Sequence, residues 1–145
     1  MGFATYERWN NIVGWLVFGV AALTYIATVE RTVSLWDCGE FISAAYKLEV
    51  VHPPGAPFFL MLNRLFTMLA PTPDDVGFLV NLSSGMVSAF AILFLFWSIT
   101  ALGRKLMIGD ESQIAPAQLI AVLGSGAVGA LAYTYSDSFW FSAVE

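Results

Sequence analysis

Four side chains in this sequence are the candidates for moving a proton or holding an anion: Asp37, Glu40, His52 and Arg64. A carboxylate fixed at a surface can take a proton from a hydroxyl nucleophile or ligate a cation. Asp37 and Glu40 are spaced D-x-x-E, which is also the spacing of a helix capping box worth about 1 kcal/mol. By helical phase Asp37 shares a face with Phe41, Ala44 and Leu48. A carboxylate aimed at an apolar interior is costly unless partnered, so that phase points to a site as well as a cap. His52 precedes Pro53-Pro54 and is the single histidine, which excludes a classical multi-histidine zinc set. It reads as a solvated loop residue, a phosphate contact, or a metal ligand beside Asp37. Arg64 sits inside an apolar stretch, where it either snorkels toward water or pairs with a lipid phosphate. The lone cysteine, Cys38, rules out an internal disulfide framework.

The elements that carry these residues belong to a membrane. Apolar residues make up 58% of the 145, and only 12% are charged, against about 25% in soluble domains. A soluble chain of this size buries only about 70% of the surface its unfolded form exposes, too little to hide such a composition. Disorder is excluded by the 15% aromatic content. The formal charge of −5 argues against nucleic acid as a partner.

A span needs about 20 apolar residues. Three stretches qualify: 12–29, 78–102 and 116–135. The first carries Glu7 ahead of it and is too long for a secretory h-region, so it reads as a retained helix. Asn81, Ser83, Ser84, Gly85 and Ser88 in the second, and Gly124, Gly126 and Gly129 in the third, suit close helix packing. No phosphate-loop spacing is present. The adjacent Arg104-Lys105 favours a cytoplasmic 103–115 loop and a cytoplasmic N-terminus over 1–11. Residues 30–77 are then an outer loop and 136–145 an outer segment. Tyr133, Tyr135 and Trp140 read as an interfacial aromatic belt. The apolar ending FWFSAVE suggests the N-terminal part of a larger polytopic protein.

The outer loop holds the histidine and five of the six prolines. Trp36–Val51 has Phe41, Ala44, Ala45, Leu48 and Val51 on one helical face and Glu40, Ser43 and Lys47 beside it, the pattern of an interfacial amphipathic helix. HPPG breaks the chain. Pro57–Ala70 is too short to span and reads as a second interfacial or re-entrant helix. Asp74 or Asp75 then favours the N-terminus of the next span. The fold class expected is all-α integral membrane, with about three transmembrane helices and two interfacial helices.

The run TVSLWDCGEFISAAYKLEVVHPPGAPFFLMLNRLF, Thr32–Phe66, resembles the first extracytoplasmic loop of a family of large bacterial membrane proteins abundant in Bacteroidetes. That family is related to animal protein O-mannosyltransferases and grouped with the GT-C glycosyltransferases. The resemblance implies transfer of a sugar from a polyprenyl-phosphate donor to a protein acceptor, with inversion, at the outer face of a bacterial cytoplasmic membrane. It implies an essential acid soon after the first span. It also implies a His-Pro-Pro motif, matched by His52-Pro53-Pro54. Relatives carry an adjacent Asp-Glu pair, whereas Asp37 and Glu40 are two residues apart, so the identity of the base stays open between them, with Asp37 favoured. His52 and Arg64 become candidates for the lipid phosphate; some GT-C enzymes use a divalent cation and the O-mannosyltransferases do not, so the resemblance leaves the metal open. Two other readings fit the residues alone: a transporter or flippase using Asp37 and Glu40 for a proton or ion, and an envelope assembly scaffold.

Overall fold

The computed structural model describes residues 2–34, 36–108 and 113–145. Among these the chain is all-helical: α1 (Phe3–Thr28), α2 (Cys38–Lys47), α3 (Pro57–Thr67), α4 (Asp75–Met107), α5 (Pro116–Thr134) and α6 (Asp137–Val144). The helices α1, α4 and α5 are long and apolar enough to cross a membrane, and a third or less of each apolar window is buried in the protein. Both α1 and α4 overrun the apolar runs that announce them. The apolar run marks the stretch suited to hydrocarbon, whereas backbone hydrogen bonding continues until a breaker, and none occurs between Phe3 and Asn11. Residues 109–112, inside the 103–115 loop, lie outside the described residues.

Packing divides the chain into two compact units, Met1–Thr24 with Ser88–Trp140, and Tyr25–Val87 with Phe141–Glu145. In the first, small residues let helices approach closely. A Cβ added to Gly14 of α1 would lie 2.7 Å from Trp97 Nε1 of α4, and one added to Gly126 of α5 would lie 2.5 Å from Thr100 Cγ2. The same test at Gly124 meets nothing within 4 Å, so Gly126 rather than Gly124 carries the close contact. Pro116 opens α5 at the position where its missing N–H costs nothing. Gln118 accepts from the Ala115 N–H at 3.0 Å and donates to the Met107 carbonyl at 2.9 Å, tying the end of α4 to the start of α5.

The second unit carries the loop between α1 and α4. Helix α2 ends at Lys47 rather than continuing to Val51. Leu48 turns left-handed at φ 56°, and the Glu49 N–H returns to the Ala44 carbonyl at 3.0 Å. Residues 50–53 explain the stop. Val50-Val51 are β-branched, and Pro53 disfavours helical backbone at His52. Leu48 is consequently 57% exposed, while Val51 folds back to 3% exposure and packs with Ala44, Ala45 and Leu60. Phe41 meets Phe59 edge-on at 5.7 Å, completing the α2–α3 contact.

Helix α3 buries polar residues on the same face as Leu60. Phe58, Met61 and Leu65 are exposed, whereas Asn63 and Thr67 are buried. Asn63 accepts from the Ser83 hydroxyl of α4 and donates to the Phe59 carbonyl at 3.1 Å, so burial leaves it partnered. Asp75 opens α4 and takes a 2.7 Å bond from the Thr72 hydroxyl, which places negative charge at a helix N-terminus.

Candidate active site around Asp37, Glu40 and His52

The first turn of α2 and the turn after it converge. Asp37 precedes the helix, with its carbonyl accepting the first helical bond from the Phe41 N–H at 3.0 Å. Its side chain makes no capping bond, which corrects the capping-box reading of D-x-x-E. Glu40 is engaged elsewhere. Its Oε1 accepts the backbone N–H of His52 at 2.7 Å, and its Oε2 lies 2.8 Å from His52 Nδ1. The Gly55 N–H closes the turn onto the His52 carbonyl at 2.9 Å, with Gly55 at φ 79°, a value that suits glycine.

These two bonds set the protonation of the pair. Hydrogen bonds from His52 hold the Glu40 carboxyl below its ordinary range. Hydrogen bonding and charge from Glu40 push the His52 imidazole above its own. An ionised carboxylate only accepts, so Nδ1 carries the hydrogen and the ring edge with Nε2 is turned toward Asp37. Nε2 lies 3.9 Å from Asp37 Oδ2, too far for a hydrogen bond but close enough for an ion pair in the protonated state. Phe41 meets the imidazole edge-on at 5.9 Å.

Asp37 is the carboxylate left accessible. Its side chain is 65% exposed. The inward orientation expected from helical phase therefore does not hold, because Asp37 precedes α2 and is not bound by its phase. It faces a cavity of about 320 Å³ lined also by Trp36, Asn81, Ser84, Ser142 and Glu145. Glu145 accepts a hydrogen bond from the Ser34 hydroxyl. Asn81 donates to the carbonyls of Glu30 and Thr32 at 3.1 and 3.3 Å, pinning the segment that leaves α1. Burial, then the charge of Glu145, push the Cys38 thiol up, so it is no ready nucleophile.

Arg64 is engaged away from this cluster. It donates to the Tyr46 carbonyl in the last turn of α2, and its guanidinium stands over the Tyr46 ring at 5.7 Å. Asp37, Glu40 and His52 thus come together, while Arg64 braces the far end of α2 against α3. The Glu40–His52 pairing, twelve residues apart across a turn, carries no periodic signal in sequence. The polar residues Asn81 and Ser84 are visible in sequence as a break in an apolar run, though not as part of a cavity wall.

The three clustered side chains each offer one donor atom, all within 4.8 Å of one another, a spacing a divalent cation could bridge. Glu40 and His52 already satisfy each other directly.

Residues 37–145 match the family model described as "Protein O-mannosyl-transferase TMEM260 N-terminal domain". Among curated relatives, the protein O-mannosyl-transferase TMEM260 of Mus musculus is 39% identical over 83 residues, covering 57% of this chain and 12% of that protein. The protein O-mannosyl-transferase tmem260 of Dictyostelium discoideum is 31% identical over 85 residues, covering 58% of this chain and 10% of that protein. The chain therefore spans roughly a tenth of the length of these relatives. No solved structure matches it significantly. The family match covers most of the chain and begins at Asp37 itself, so this chain belongs to the protein O-mannosyl-transferase TMEM260 N-terminal domain family.

Proposed function

We propose that the chain is the N-terminal part of a GT-C-type glycosyltransferase that moves mannose, or a similar sugar, from a polyprenyl-phosphate carrier to Ser/Thr of envelope proteins. The setting proposed is the bacterial cytoplasmic membrane of a Bacteroidetes-type cell, with the α2–α3 loop facing the periplasm. Family membership supports the reaction class. The observation that carries the assignment of roles is the division of labour between the two acids, Glu40 bound twice by His52 and Asp37 accessible beside a cavity.

In this mechanism the acceptor hydroxyl attacks the anomeric carbon from the face opposite the phosphate. Asp37 takes the hydroxyl proton as the new C–O bond forms. The bond to the phosphate oxygen breaks with its electron pair, leaving polyprenyl phosphate and an inverted glycoside. Glu40 orients His52 and favours its protonated form, and His52 supplies positive charge where the phosphate charge accumulates. Arg64 acts one step removed, by holding α2 on α3. A divalent cation would be held by Asp37, Glu40 and the neutral form of His52, and would supply positive charge to the phosphate in place of the imidazolium.

The test is reconstitution of the full-length protein with polyprenyl-phosphate mannose and a Ser/Thr peptide. The expected result is a peptide mass gain of one hexose, lost in Asp37→Asn with insertion unchanged. Sugar accumulating inside vesicles with no peptide product would establish the transporter reading instead. Envelope proteins co-purifying with no glycan change would favour a scaffold.

A further inference from the structure

Trp36 stands immediately before Asp37 with 89% of its surface exposed and its backbone at φ 66°. On a helix neighbouring side chains diverge by about 100°, and on a strand they point to opposite faces. Trp36 and Asp37 nevertheless line one cavity, which the left-handed backbone at Trp36 makes compatible with their adjacency. Around them the wall combines the apolar Ile42, Phe59 and Val80 with Asn81, Ser84 and Glu145, of which Asn81 and Glu145 also bond within the protein. A cavity of about 320 Å³ is at the lower end of the size range for small-molecule sites.

That combination has a chemical counterpart. A pyranose presents a face of polarised C–H bonds and a rim of hydroxyls. The C–H face suits the electron-rich face of an indole, and the rim suits acceptors and donors such as these. An acyl chain would bring hydrocarbon against the carboxylates of Asp37 and Glu145, which is costly. We propose that Trp36 is a sugar-binding residue, a platform on which the donor pyranose stacks so that its anomeric carbon comes beside Asp37. The proposal rests on the transferase reading and names the part of the donor that this wall of the site recognises.

The test separates binding from turnover by working in the inactive Asp37→Asn background. Full-length Asp37→Asn and Trp36→Ala/Asp37→Asn proteins in nanodiscs are titrated with polyprenyl-phosphate mannose and with sugar-free polyprenyl phosphate. The expected result is about tenfold weaker binding of the mannose donor in the double variant, the loss of one aromatic contact, with sugar-free lipid unaffected. Trp36→Phe/Asp37→Asn, which keeps a ring, should stay within about threefold of Asp37→Asn. Equal donor affinity with and without Trp36 overturns the proposal. An equal loss for both lipids also overturns it, and makes Trp36 a membrane-interface anchor. Absence of donor binding by the unsubstituted protein would overturn the transferase reading itself.

Discussion

His52 gives both its backbone N–H and its Nδ1 to the carboxylate of Glu40, at 2.7 and 2.8 Å, across a twelve-residue interval that contains the end of a helix. This bidentate contact fixes the turn carrying His52 onto the first turn of α2. It also separates the two acids: Glu40 is bound twice by His52, whereas Asp37 reaches His52 only at 3.9 Å and is 65% exposed.

The pair has a pH window whose edges are set by the two shifts. Imidazole protonation is favoured in the folded protein, so that contribution is complete below the ordinary histidine value of about 6.5 and is lost as pH rises through the raised one. The Glu40 carboxyl is lowered, so its contribution is complete above the ordinary value of about 4.3 and is lost as pH falls through the lowered one. Glu40→Gln should move the His52 midpoint down, read by NMR on the single histidine of the chain. An unmoved midpoint would show that Glu40 does not govern the imidazole.

Asn63 joins α3 to α4 through Ser83 in a buried setting at 1% exposure. Asn63→Ala should cost about 1–3 kcal/mol, because it removes a buried partner and leaves space. Limited proteolysis across residues 48–74 should then become faster, while the first unit's resistance is unchanged. Equal resistance in the variant would contradict a structural role for the buried amide.

Gly126 and Gly124 should respond oppositely to alanine. At Gly126 the new methyl meets Thr100 Cγ2 at 2.5 Å and Phe96 at 3.0 Å, an overpacking of about 1–3 kcal/mol. At Gly124 it meets nothing, and helix propensity alone predicts a gain of up to about 1 kcal/mol. Thermal unfolding in detergent compares them, and equal effects would contradict the close α4–α5 approach at Gly126.

Each feature of the fold is legible in sequence to the extent that it leaves a local signal. The three long helices and the short α2 and α3 write a run or a period into the chain, and HPPG writes a break, whereas α6 is not announced. The end of α2 does not, because Leu48 continues the apolar phase while its backbone turns left-handed. Asp37 and Glu40 are legible as candidates by type and spacing. Their different employment is not, because the competitor for Glu40 is His52, brought back by a turn whose geometry no periodicity encodes. Asn63 is legible as a polar interruption of an apolar helix. Its burial beside Leu60 and Thr67, with Phe58, Met61 and Leu65 exposed, is not written in that interruption.

The assignment of Asp37 as the base, with Glu40 positioning His52, is open to one decisive comparison. The sugar-transfer rate of Asp37→Asn is measured against that of Glu40→Gln in the full-length protein at saturating donor. Asp37→Asn should lower kcat by about 100-fold or more, the scale of a lost general base, at every pH. Glu40→Gln should lower it less and shift the alkaline limb of its pH profile downward with the His52 midpoint. Near-normal turnover by Asp37→Asn, with activity abolished in Glu40→Gln, would contradict the assignment.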